Sequence, residues 1–66
     1  MAGIKFTGIL EGEKVTFELD GMGRLVMTNA DGTEELYNEE YYDNDQYGTI
    51  REALLRDGVR ELMDAE

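Results

Sequence analysis

Cysteine and histidine are both missing from this 66-residue chain, and each absence closes off a branch of chemistry. Without cysteine there is no disulfide to staple the fold and no thiolate to hold a metal, so nothing demands an oxidising compartment. Without histidine, zinc loses its usual nitrogen ligand, and no side chain has an unperturbed pKa near neutrality. The Ser–His and Cys–His nucleophile arrangements fall with them. Gly21-Met22-Gly23 lacks the third glycine and the strand-to-helix setting of a dinucleotide fingerprint. Carboxylates are plentiful, but a hydrolytic pair must flank a cleft with its two pKa values pushed apart, and so short a chain has little material for one. The expectation is a protein that is not an enzyme and uses no cofactor.

Basic residues are scarce: sixteen acids face six bases, for a formal charge of −10. Such a charge favours solubility and works against compactness. It also disfavours direct binding to nucleic acid or anionic membranes, whose phosphates it repels. The expected partners are cationic, either metal ions or the basic face of another protein. Long apolar runs are missing as well. Leu25–Met27 and Ala53–Leu55 fall far short of a membrane span. The opening Met-Ala-Gly-Ile-Lys-Phe lacks the apolar core of a signal peptide. Ala2 stands where myristoylation needs glycine. These absences lead to an expected cytoplasmic location without membrane contact. Residues 1–66 make one small domain that buries only about 60% of its unfolded surface. Small unstapled domains often gain stability by associating, so monomer and homodimer both stay open.

What the chain does have is concentrated in Tyr37–Tyr47, which holds all four tyrosines, four carboxylates and no base. Widened to Asp31–Asp45 the stretch carries seven acids, and no Lys or Arg occurs between Arg24 and Arg51. Around it the pattern is that of a scaffold. Ile4, Phe6, Gly8 and Leu10 alternate with Lys5, Thr7 and Ile9, a period of two that predicts a half-buried strand. Val15, Phe17 and Leu19 repeat the pattern after the Glu11-Gly12-Glu13 turn, making residues 4–20 a hairpin. Arg24–Thr28 reads as a third strand with Leu25 and Met27 inward. Asn29-Ala30-Asp31-Gly32 is a turn signal, and Thr33–Tyr37 can return as a fourth, acidic edge strand.

From Asn38 the apolar period disappears until Ile50. Thr49-Ile50-Arg51-Glu52 then fits a capping box. Ile50, Leu54, Leu55, Gly58, Val59, Leu62 and Met63 form one helical stripe, with Gly58 allowing close approach to the sheet. The rival reading ends the first helix at Asp57-Gly58 and starts a short second one. The expected architecture is α+β, a three- to four-stranded antiparallel β-meander with one C-terminal α-helix packed on it.

Asp43-Asn44-Asp45-Gln46-Tyr47-Gly48-Thr49-Ile50 resembles the opening of an EF-hand calcium loop. Asp43 and Asp45 match positions one and three, and Gly48 matches the turn glycine. Tyr47 and Leu54 stand where a third oxygen ligand and the bidentate glutamate are expected, which leaves an acidic loop as the simpler description. The same residues form a row of carboxylates. In an extended chain Glu39, Tyr41, Asp43, Asp45 and Tyr47 share one side at about 6.6 Å per two residues, roughly the interval between phosphates on a nucleic-acid strand. In a helix Glu35, Glu39 and Asp43 align instead, with Glu40 beside them. Either row suits charge-assisted bonds to Arg and Lys, and tyrosines add rings for guanidinium stacking and anchoring. The candidate partner-binding residues are Asp31, Glu34, Glu35, Glu39, Glu40, Tyr41, Tyr42, Asp43, Asp45 and Tyr47. Tyr37 and one of Tyr41 and Tyr42 are expected to pack under the helix.

In size, charge and acid–tyrosine layout the chain resembles the small phage-encoded inhibitors that mimic nucleic acid, above all the anti-CRISPR proteins. The resemblance is compositional and rests on no shared motif. It implies that Glu34, Glu35, Glu39, Glu40, Asp43 and Asp45 occupy the nucleic-acid or PAM-reading groove of a Cas effector. Lys5, Lys14 and Arg24 on the first three strands make any anionic face one-sided. The competing readings are a weak calcium-binding module using Asp43 and Asp45, and a structural protein that dimerises.

Overall fold

Each alternating segment becomes a strand, and the strands lie side by side because each has one apolar face to bury. The computed structural model describes residues 3–65; Met1 and Ala2, which figure in the amino-terminal expectations, lie outside the described residues. The elements are β1 (Lys5–Leu10), β2 (Glu13–Leu19), β3 (Arg24–Thr28), β4 (Glu34–Tyr41), α1 (Tyr47–Arg56) and β5 (Arg60–Asp64). They form one five-stranded sheet in the order β4-β3-β2-β1-β5, and every paired strand is antiparallel.

Register places the inward residues in rows. Phe6 pairs with Phe17 and Phe17 with Met27, while Leu19 pairs with Leu25. Phe6, Phe17 and Leu25 are completely buried, as are Ile50 and Leu54 of α1. The core therefore sits between one face of the sheet and the helix, closed by Ile4, Val15, Leu19, Met27, Tyr42 and Val59. Each of the five fully buried side chains contributes about 1.5–3 kcal/mol through burial. The α+β class, the antiparallel sheet and the helix packed on it agree with the sequence pattern.

Three local expectations are corrected. The fourth strand does not stop at Tyr37 but runs to Tyr41. The capping box does not form: Gln46 is the N-cap residue and α1 starts at Tyr47, so Thr49 lies within the first turn. The Gln46 side chain instead accepts a bond from the Asp43 N–H at 2.8 Å.

The third correction is the largest, since among the described residues neither the long helix nor a second helix forms. The helix ends at Arg56 because Gly58 takes φ +99°. The Gly58 N–H donates to the Leu55 carbonyl and the Val59 N–H to the Leu54 carbonyl, which is a Schellman ending. Val59 and Leu54 are both buried in the core, as that ending favours. A Cβ at Gly58 would meet nothing within 4 Å, so its role is a left-handed stop and not close approach to the sheet. Val59, Leu62 and Met63 then belong to the chain entering and forming β5, which adds antiparallel to β1.

Candidate protein-binding surface

The acidic stretch begins in a turn whose polar groups hold one another. Asp31 accepts bonds from the Thr33 N–H at 3.0 Å and from the Thr33 hydroxyl at 2.7 Å. Those bonds hold its carboxyl below the usual aspartate range. Asn29 donates to the Thr33 hydroxyl and to Glu35. Asp31 thus has a structural task, fixing where β4 starts, in addition to its charge.

The strand that follows is an edge of the sheet. Glu34, Glu35 and Leu36 pair with Thr28, Met27 and Val26, after which the register jumps and Tyr41 pairs with Arg24. Asn38 fills the irregular segment, its side chain accepting from the Glu40 N–H and donating to the Tyr42 hydroxyl. Glu34, Glu35, Glu39 and Glu40 are all exposed, as are Asp43 and Asp45 in the loop before α1. Among the described residues the one ion pair joins Arg24 to Asp20 at 3.8 Å, so none of those six carboxylates is neutralised by a base. The same charges guard a free strand edge against pairing with another chain.

Neither uniform row forms. The jump in register breaks the extended run, and the Tyr42 N–H turns inward to the Gly23 carbonyl at 2.7 Å. The helix starts too late to align Glu35, Glu39 and Asp43. What results is a strand edge bearing four glutamates, continued by a loop bearing two aspartates.

The four tyrosines take four different positions. Tyr42 is buried. Tyr37 is half-buried, sits edge-on to Phe17 at 5.1 Å and donates to Asp57 at 2.7 Å. Tyr47 is 40% exposed, but its ring lies 5.0 Å from Phe6 and its hydroxyl donates to Asp64. Tyr41, 66% exposed, is the one ring fully displayed. Tyr42 therefore belongs to the core and Tyr37 packs against it; the expectation from the sequence is that Tyr37 and one of the pair at 41 and 42 pack under the helix.

Burial, with Asp57 beside it, pushes the Tyr37 phenol well above its ordinary value. The stability it contributes is complete below about pH 10, where the unfolded phenol titrates, and is lost as pH rises beyond that. Tyr37→Phe is expected to cost about 1 kcal/mol at neutral pH. The gap to the parent should narrow as pH climbs from about 9 to about 12. Urea titrations across that range measure it, and a constant gap contradicts this account of Tyr37.

Two residues outside the acidic stretch join the site. A groove of about 530 Å³ runs between the β2–β3 turn and the end of β4, with Asp20, Met22, Tyr41 and Asp43 among its lining residues. Met22 is 67% exposed, a large apolar side chain at a turn tip. Asp20 accepts bonds from the N–H groups of Arg24 and Met22, which hold its carboxyl below the usual range. An exposed ring, a thioether and two carboxylates around one groove suit the stem and head of an arginine or lysine. Composition gave no signal for Asp20 or Met22, because Met22 reads as turn punctuation and Asp20 as the last outward residue of the second strand.

The calcium-loop resemblance meets a different scaffold. A strand, not a helix, precedes Asp43, and α1 begins inside the eight-residue match. Among the described residues no group of three or more His, Cys, Asp or Glu side chains is placed to hold a metal ion. No helix among them is long and apolar enough to cross a membrane. Compared with protein families, curated proteins and solved structures, the chain matches none.

Proposed function

We propose that this protein is a non-enzymatic inhibitor that binds the basic, nucleic-acid-contacting groove of another protein through the β4 edge and the loop after it. The observation supporting this reading is the set of six exposed, unneutralised carboxylates, Glu34, Glu35, Glu39, Glu40, Asp43 and Asp45. A groove lined with Arg and Lys gains charge-assisted bonds from them. Tyr41 and Met22 supply apolar contact at the margin. A CRISPR effector, which holds its heteroduplex in such a channel, is the partner class that the resemblance to anti-CRISPR proteins favours. The binding step is occupancy of a site, without chemistry.

Charge reversal tests it. Lysine at Glu39, Glu40, Asp43 and Asp45 together should leave the fold intact, since all four side chains are exposed. DNA cleavage by a panel of Cas effectors, assayed with parent and variant chains, is the measurement. The parent should inhibit at least one effector, and the variant should lose that inhibition by about a hundredfold or more, in keeping with the 2–5 kcal/mol cost of removing charge partners at an interface. A variant that inhibits as well as the parent contradicts the proposal.

A further inference from the structure

The helix covers one face of the sheet, and the opposite face is bare. On that face Met63, Thr7, Thr16, Thr28 and Glu34 form one cross-strand row. Lys5, Glu18, Val26 and Leu36 form the row beside it. On the other side Ile9 pairs with both Lys14 and Arg60. These rows hold three of the chain's six bases but only two of its sixteen acids. Glu61 adds an acid to this face, lining a groove there with Thr7, Ile9, Lys14 and Met63. Bases and acids are thus about balanced on a molecule of charge −10, and the rest of the face is mainly threonine and aliphatic side chains.

We propose that this face is a two-fold interface with a second copy of the chain. Charge runs in a self-complementary order along the middle strand. Lys14, Thr16 and Glu18 lie on β2 at every second residue, so they share the bare face. A two-fold axis through Thr16, perpendicular to β2 in the plane between two sheets, carries Lys14 of one copy over Glu18 of the other. The same operation makes the reciprocal pair. The row through Thr16 then meets itself, threonine on threonine at its centre, Met63 on Met63 at the β5 end and Glu34 on Glu34 at the exposed β4 edge. The small β-branched side chains allow two sheets to approach at about 10 Å.

The area is adequate for a weak dimer. Five strands about 4.8 Å apart and about 17–20 Å long present roughly 400–500 Å² per copy. The pair buries about 1,000 Å² once side-chain relief is included, the lower bound for a biological interface. A basic partner gains little here, because Lys5, Lys14 and Arg60 offset Glu18 and Glu34 on this face. A strongly acidic partner is repelled by the rest of the molecule. A second copy is repelled in the same way by its net charge of −10, which salt screens, but it alone presents a Lys14–Glu18 order that matches this face twice.

Sedimentation velocity of the whole chain over a range of concentrations, at low and high salt, tests the interface. A monomer–dimer equilibrium should appear and tighten with salt, because screening relieves repulsion between two anionic bodies. Thr16→Glu should weaken the dimer by about a hundredfold or more, through two like charges at the axis, with an unchanged circular dichroism spectrum. Lys14→Glu should weaken it about tenfold or more, and the swap Lys14→Glu with Glu18→Lys, which restores net charge and complementarity, should recover it. A chain that stays monomeric at every concentration and salt overturns the proposal. So does a Thr16→Glu variant that dimerises as the parent does, or a swap that fails to rescue.

Discussion

Phe17→Ala is expected to leave the chain largely unfolded at room temperature. Phe17 is completely buried at the centre of β2. It is flanked across the ladder by Phe6 and Met27, with the Tyr37 ring nearly perpendicular to its own. Truncating a buried phenylalanine costs about 3–5 kcal/mol, since the cavity cannot be refilled. The total stability of a chain this size is roughly 3–10 kcal/mol, and self-repulsion places this one toward the lower end. The loss is therefore comparable to the whole. Urea titration followed by circular dichroism measures it. A cooperative transition shifted by under about 1 kcal/mol would mean that the core does not centre on Phe17.

The second large effect is expected at Gly23, which links the core to the acidic edge. Its φ is +88°, and an added Cβ would lie 2.8 Å from the Tyr42 carbonyl oxygen. Gly23→Ala meets a left-handed backbone cost of about 1–2 kcal/mol and a backbone clash that no rotamer relieves. A loss of about 2 kcal/mol or more is expected. Gly58→Ala is the control, having a similar φ of +99° but open space around its Cβ position, and should lose only the conformational part, about 1 kcal/mol. Because Gly23 receives the Tyr42 N–H, the first substitution also moves Tyr41 and Asp43, so partner binding should fall with stability. Equal losses at the two glycines would contradict the contact.

Much of the scaffold is legible in the sequence because a half-buried strand has a period of two. Phe6, Val15, Phe17, Leu25 and Met27 announce their faces in that way. The end of the molecule is not legible by the same rule. Val59, Leu62 and Met63 continue a helical stripe on paper, yet the left-handed Gly58 turns them into a strand approach and β5. Helical spacing over so few residues does not separate helix from helix-turn-strand, and the Asp57-Gly58 pair was the local sign of the turn. The capping box failed for a related reason, since Gln46, three residues before Thr49, bonds to Asp43 and starts the helix there.

For the candidate surface, charge was legible and orientation was not. Six acids remain exposed as composition implied, and among the described residues none of them forms an ion pair with a base. The fate of each tyrosine depended on long-range partners, Phe17 and Asp57 for Tyr37, Phe6 and Asp64 for Tyr47, which no local pattern encodes. Asp20 and Met22 join the groove only because β3 carries their turn beside the end of β4.

The account stands on unneutralised carboxylates acting as the binding surface, and salt reaches that claim most directly. The measurement is the concentration of this protein that half-inhibits a susceptible effector, followed from about 0.05 M to about 0.5 M salt, over which the Debye length falls severalfold. The account predicts that this concentration rises steeply and that the chain itself stays folded throughout. A half-inhibitory concentration that is flat across the series would contradict it.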